Sequence, residues 1–382
     1  MARSPHNGAQ IGFQPRIRKG AFFEAAWRHG CRSFSVYNRT YISGSFSDPE
    51  SEYWSVVNDV ALWPVMGERQ IEITGPDAAQ FVQLLTPRDM SKCAVGQCKY
   101  ALITAADGGI LSDPIILRPD ATRFWLSTCD ADLELWAKGV AVHAGMDVRI
   151  RDAGVSVLQV QGPKSAALLA DMFGDAIRAL KYYRLTTVDF AGTELLLSRT
   201  GWSGELGFEL YLADASKGDA LFEAVLEAGR PHDVRLGSVS QARRIESGIL
   251  SWGIDMTPDE TPYELGLDRL VELDNPADFI GKARLAALKD APVTRRLVGL
   301  TVDGDRLAPN EDPWPLYRDG RPAGRITSLT FSPRLKKNIA LGLVETACAA
   351  PGQSLTADTW TGMRDALVTT LPFVPKRQNA GS

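Results

Sequence analysis

The apolar pattern places this chain in the α+β class, with mixed strand–helix units up to Pro292 and strands alone after it. Three observations carry that reading. Two strand–Gly–Pro–helix units stand at Arg69 and at Val155. Beyond Pro292 every apolar run is short and alternating. At 382 residues the chain is also too long for one ordinary core, so two or three domains are expected.

Arg69 to Thr74 alternates and predicts a strand, and Gly75-Pro76 then opens a helix with proline at its first position. That helix carries the stripe Ala79, Phe81, Val82 and Leu85. Val155 to Gln161 repeats the device: Gly162-Pro163 leads into Ala166, Leu168, Leu169 and Met172, and Gly174 is placed to stop the helix. The spacing of roughly ninety residues fits an internal pseudo-repeat. It equally fits a common local device used twice, and the sequence leaves both open. Thr186 to Ser198 predicts a hairpin turning at Ala191-Gly192. Lys217 to Ala228 predicts an amphipathic helix presenting Leu221, Phe222, Val225 and Leu226, and Val239 to Leu250 predicts another. Asp274-Asn275-Pro276 and Ala291-Pro292 punctuate the chain. The β runs that follow are Leu297–Val302, Gly324–Phe331, Ile339–Val344 and Ala366–Leu371.

Composition narrows the function classes. A formal charge of −4 leaves no electrostatic footprint for nucleic acid. Five cysteines without Cys-x-x-Cys spacing argue against a disulfide framework or structural zinc. Four histidines without a His-Glu-x-x-His pattern argue against metal catalysis. The opening residues lack an apolar signal core, and no apolar run approaches membrane-spanning length, so a cytoplasmic protein is expected. The polar ends, Ala2 to Arg18 and Lys376 to Ser382, are expected to be loose.

The segment from Arg199 to Tyr211 is the most informative for function. Gly201, Gly204 and Gly207 permit positive φ and close backbone approach. Phe208-Glu209-Leu210-Tyr211 then alternates as a strand, so Glu209 and Tyr211 share one face and Phe208 and Leu210 the other. With the apolar pair inward, a carboxylate and a phenol point together into a cavity. Such a carboxylate could accept two parallel hydrogen bonds from an amidine-like edge. A glycine hairpin with a solvated Glu209 is the bland alternative.

This segment resembles the signature of the glycine-cleavage T-protein family, the folate-dependent aminomethyltransferases. Other pieces keep the family's order: Gly75-Pro76-Asp77, Gly108 to Asp113, Val160 to Pro163, Arg244 to Gly248, and Ser332 to Gly342. Val36-Tyr37-Asn38, Gly67 to Ile73, Val82 to Lys92 and Asp113 to Leu117 resemble one branch, the dimethylsulfoniopropionate (DMSP) demethylases. Gly204-Glu205-Leu206 is closer to the T-protein itself. The resemblance implies a three-domain cloverleaf around a central folate site, with a discontinuous first domain and a C-terminal β-barrel. Its segments are 1–58, 59–150, 151–290 and 291–382.

It also implies tetrahydrofolate as cofactor and a small-molecule methyl donor as substrate. Glu209 would hold the pterin edge, with Tyr100 and Tyr211 beside the folate and Trp202, Tyr100 and Tyr211 walling the donor. Arg244 lies among apolar residues where Glu246, two positions on, cannot face it on a helix. An external carboxylate such as the folate tail is the family reading, and an internal acid is the alternative. Asp113, before Pro114 and the strand Ile115-Ile116-Leu117, is the expected catalytic residue, countering a cationic methyl-bearing centre. No metal is expected. Two other functions remain: the glycine-cleavage aminomethyltransferase working with a lipoyl carrier protein, and a non-catalytic folate-binding regulator.

Overall fold

The computed structural model describes residues 12–378 and contains three packed bodies. The first is a six-stranded sheet whose central strands are Val60–Pro64, Ser156–Gln161 and Gly207–Leu212. Val60, Leu62, Leu158, Val160, Phe208 and Leu210 fill one face and pack under the helices Phe23–Arg28, Ser165–Phe173 and Gly218–Gly229. The second body is a five-stranded sheet that includes Arg69–Thr74, Gln97–Tyr100, Ile115–Asp120 and Arg123–Thr128. Ile71, Ile73, Phe124 and Leu126 pack there against the helices Ala78–Leu85 and Leu133–Ala144. The remaining faces of the two sheets meet each other. Trp63, Val157 and Tyr211 of one share a core with Cys98, Leu117 and Trp125 of the other, and the Trp125 and Tyr211 rings lie 5.9 Å apart.

The third body is the closed six-stranded barrel from Arg295 onward. It closes on Val298, Leu300, Leu316, Ile326 and Val368, while Ile339, Leu341 and Leu343 face out against Ile245, Leu250 and Leu270. Closure removes exposed strand edges. The barrel also contains two strands that the apolar pattern does not reveal, Trp314–Arg318 and Ser354–Thr359. The first carries Pro315, and in the second four of six residues are polar.

Several expectations are corrected. Val60–Pro64, assigned by sequence to the 59–150 segment, is a central strand of the sheet built from residues 156–236. The helix expected over Val239–Leu250 spans only Gln241–Glu246, because Gly248 turns the chain at φ 61°. The C-terminal tail is not loose where it is described. Arg377 pairs with Glu205 and Gln378 with the Tyr182 hydroxyl, and at the other end Arg18 pairs with Asp152. Residues 2–11 and 379–382 lie outside the described residues.

The two strand–Gly–Pro–helix units also share a contact that the sequence could not show. Gly75 and Gly162 both sit at strongly positive φ. A side chain on either would meet a backbone carbonyl, that of Asp147 at 2.3 Å or of Asp59 at 2.5 Å. In each case that carbonyl stands just ahead of the neighbouring antiparallel strand. The shared geometry favours the pseudo-repeat.

A buried ion cluster joins these bodies. Glu205 lies between Arg243 (2.8 Å) and Arg377 (2.7 Å), and Arg243 also pairs with Glu246, which accepts from Tyr53 and Ser332. Removing one member of such a buried group strands the opposite charge. Glu205→Gln is therefore expected to cost about 3–5 kcal/mol of stability in urea unfolding. A change under about 1 kcal/mol would show the cluster to be incidental. Among the described residues, no helix is long and apolar enough to cross a membrane, and no acid–thiol–imidazole group could hold a metal.

Candidate active site

The polar row of the site lies on the six-stranded sheet. Gln159 is directly opposite Glu209, which in turn faces Ser198 on the next strand. Phe208 and Leu210 point to the helix-covered face, so Glu209 and Tyr211 turn the other way, as alternation requires. Glu209 is almost fully buried, and its Oε2 accepts from Thr200 (2.6 Å), Tyr211 (2.6 Å) and Ser198 (3.4 Å). Its Oε1 accepts only the Gln159 amide, at 2.7 Å. The bidentate pairing expected from the sequence therefore finds one oxygen crowded and the other open.

Glu68 completes this end. The chain turns after Pro64, with the Glu68 N–H on the Val65 carbonyl at 3.0 Å, and the Glu68 carboxylate accepts the same Gln159 amide at 3.0 Å. Burial raises both carboxyls above their ordinary range. The Glu209 charge raises Glu68 further, and the four donors around Glu209 oppose its shift.

At the other end Asp113 accepts a hydrogen bond from the Tyr100 hydroxyl at 3.0 Å. Burial lifts its pKa to about 7, against hydrogen bonds from Tyr100 and Cys129, while the nearby Asp255 charge adds to the rise. Charges at both ends act on Tyr37. Its phenol is pushed well up by burial and by the charges of Cys129, Asp113 and Glu68. The Asn38 amide holds this hairpin tip in place by reaching the carbonyls of Gly67, Thr128 and Cys129. Tyr37, Glu68, Tyr100 and Asp113 are surrounded by protein, yet each keeps some accessible surface. With Glu209 and Gln159 they make up the buried acidic, amide and phenolic groups of the candidate site.

The Tyr182 and Tyr183 rings lie 4.3 Å apart, and Tyr183 acts on the Tyr100 phenol. The Arg269 charge acts on all three phenols. Lys376 stands near Arg269, and burial first, then that neighbouring cation, lowers its pKa. Neither cation has a carboxylate partner among the described residues.

Arg244 fits this picture differently from the sequence expectation. It is buried and pairs with Asp255 at 2.5 Å, while Gln241, Ser328 and the Ile249 carbonyl take further donors. Of its five N–H groups one remains. The internal-acid alternative describes its pairing: the acid is Asp255, eleven positions along the chain, in a loop whose return the sequence does not announce. Trp202 is half-buried against this guanidinium, 5.3 Å from ring centre to carbon. The structure thus groups Tyr100 with Asp113 and Tyr211 with Glu209, and sets Trp202 with Arg244. Sequence reasoning missed Tyr37, Glu68, Gln159, Tyr183, Arg269 and Lys376 as site residues. Gln159 could have been found from its place in the alternating strand three residues before Gly162, on the face opposite Leu158 and Val160. The others depend on tertiary contacts.

Residues 13–275 match the model of the GCVT N-terminal domain, and residues 295–375 that of the glycine cleavage T-protein C-terminal barrel domain. The chain belongs to the glycine-cleavage T-protein family. Among family members, the dimethylsulfoniopropionate demethylase DmdA of Ruegeria pomeroyi is 37% identical over 353 residues, 92% of this chain and 96% of that protein. The aminomethyltransferase of Listeria welshimeri is 31% identical over 313 residues, 81% of this chain and 85% of its own length. The crystal structure of glycine cleavage system aminomethyltransferase T from Bartonella henselae superposes with a TM-score of 0.83. It shares 25% identity and covers 94% of this chain and 99% of its own. The α+β cloverleaf with a terminal barrel is the family's fold.

Proposed function

We propose that this protein is a tetrahydrofolate-dependent demethylase that takes a methyl group from a small methylated donor, DMSP or a related compound. One observation carries the reading: inside the protein the buried Glu209 carboxylate, bonded to Gln159, Thr200 and Tyr211, and the Asp113–Tyr100 pair give two acidic groups set among tyrosines. A reduced folate fits these residues. Its donor edge matches the open Oε1 of Glu209, and the buried Gln159 Oε1 lacks a partner. Its carboxylate tail suits Arg269 and Lys376 better than Arg244, whose charge is already matched. When bound, tetrahydrofolate supplies the nucleophilic N5 that receives the methyl group.

The chain's own residues then orient and stabilise. Glu209 fixes the ring, and the tyrosine wall suits a positively charged methyl centre. Asp113, held by Tyr100 and removed from bulk solvent by burial, faces the positive charge as an ionised carboxylate. Placement supplies most of the effect, because an onium methyl already leaves readily. The 37% identity to a demethylase over nearly the whole chain favours this reading over the aminomethyltransferase. The deciding experiment incubates the protein with tetrahydrofolate and a panel of sulfonium, ammonium and aryl-ether donors, reading 5-methyltetrahydrofolate by mass. Activity on an aminomethyl-lipoyl carrier, with no product from any free donor, would reverse the assignment.

A second expected result concerns the tail. Replacing both Arg269 and Lys376 by Ala should weaken tetrahydrofolate about tenfold or more. Binding of tetrahydropterin, which has no glutamate, should stay the same in calorimetry. Equal losses for both ligands would remove the cations from the site.

A further inference from the structure

We propose that Tyr37 is a donor-binding residue, its phenol forming with Asp113 a subsite for the positively charged methyl centre. This rests on the demethylase reading above and names a donor contact within it.

The assignment starts from a two-residue turn. Ser33–Tyr37 pairs with Thr40–Ser45, so Asn38 and Arg39 make the whole loop, both at positive φ. Turns of this kind favour asparagine. Asn38 is buried there, and its side-chain amide donates to the carbonyls of Gly67 (3.0 Å), Thr128 (3.2 Å) and Cys129 (2.8 Å). Its backbone N–H donates to Asp130 at 2.9 Å. The Cys129 thiol in turn lies 3.2 Å from the hydroxyl of Ser112, the neighbour of Asp113. The hairpin tip is thereby tied to the Asp113 end of the site. Gly67, the neighbour of Glu68, ties it to the other end. A side chain on Gly67 would stand 2.9 Å from the Tyr37 carbonyl and 3.1 Å from its ring. Val36 is exposed, so alternation turns Tyr37 the opposite way, toward the protein. Tyr37 accordingly feels the charges of both Asp113 and Glu68.

What sets Tyr37 apart is the state of its hydroxyl. Tyr100 gives its hydroxyl to Asp113, Tyr211 to Glu209 and Tyr182 to Gln378. The Tyr37 hydroxyl has no partner among the described residues, and it keeps accessible surface. Polar atoms set among protein groups are normally bonded, so an unbonded and reachable phenol near two carboxyls suits a ligand. The carboxyls favour a cation, and the phenol adds its ring face to that preference. Two other aromatic side chains are less suited to this task. Tyr211 is buried, and Trp202 packs on Arg244, itself a cation.

The test compares the wild type with Tyr37→Leu and Tyr37→Phe, using tetrahydrofolate and the most active onium compound of the donor panel. The carbon isostere of that donor, isocaproate in the case of DMSP, serves as the uncharged competitor. Tyr37→Leu should raise the donor KM about tenfold, while tetrahydrofolate affinity and inhibition by the isostere stay within about twofold. Tyr37→Phe keeps the ring and should raise the donor KM by only about threefold. Should Tyr37→Leu fail to fold, Tyr37→Phe decides by the same comparison. A merely structural role would weaken tetrahydrofolate, donor and isostere alike. That result, an unchanged donor KM, or turnover of aryl ethers alone overturns the assignment. No product from any free donor would sink the demethylase reading itself, whereas turnover with an unaltered KM in the variants sinks only this one.

Discussion

Asp113→Asn is expected to lower the rate of methyl transfer by about 10²–10³-fold and to leave tetrahydrofolate affinity nearly unchanged. Asparagine keeps the shape and can still accept from Tyr100, so the variant removes charge and little else. That charge is costly where it stands, since burial lifts the Asp113 pKa to about 7. Two pH effects follow. Transfer from a cationic donor should fall as pH drops through about 7, where the free protein's carboxylate takes up its proton. Stability runs the opposite way. The native state holds this proton more tightly than the unfolded chain, so this group's contribution to stability is lost as pH rises through about 7. Asp113→Asn should therefore melt higher than the wild type at pH 8 and show no such gain near pH 4. A rate within threefold of wild type would take Asp113 out of the mechanism.

Glu209→Gln should weaken tetrahydrofolate binding by about 10- to 100-fold, the size expected for hydrogen bonds to a buried charge. The neutral amide presents an NH₂ group where Gln159 or the Thr200 and Tyr211 hydroxyls now donate. Those hydroxyls can rotate, whereas the Gln159 nitrogen cannot turn without losing Glu68. Loss of affinity should therefore exceed loss of stability, which calorimetry and thermal unfolding separate. Folate binding unchanged within threefold would place the pterin elsewhere. Replacement by Ala is less informative, because it opens a cavity as well.

Much of the fold was legible in short-range pattern. The hairpin expected over Thr186–Ser198 forms from Leu185–Phe190 and Thr193–Ser198, with Ala191 and Gly192 both at positive φ in its turn. Gly174 does end its helix. The resemblance also led to the right family. Glu205, in the run closer to the T-protein itself, has a structural part that the sequence does not show, since it is held between two arginines.

Alternation and glycine punctuation determined by themselves which face Glu209 and Tyr211 occupy, because side-chain direction in a strand depends only on the next residue. The partners of each polar group depended on the tertiary structure. Asp255 for Arg244, Gln159 for Glu209 and Tyr100 for Asp113 all come from other strands or loops. Such pairings are set by strand register and by how the two sheets face each other. No local run of residues encodes either, and so the chemistry of the site is readable only after the chain has closed around it.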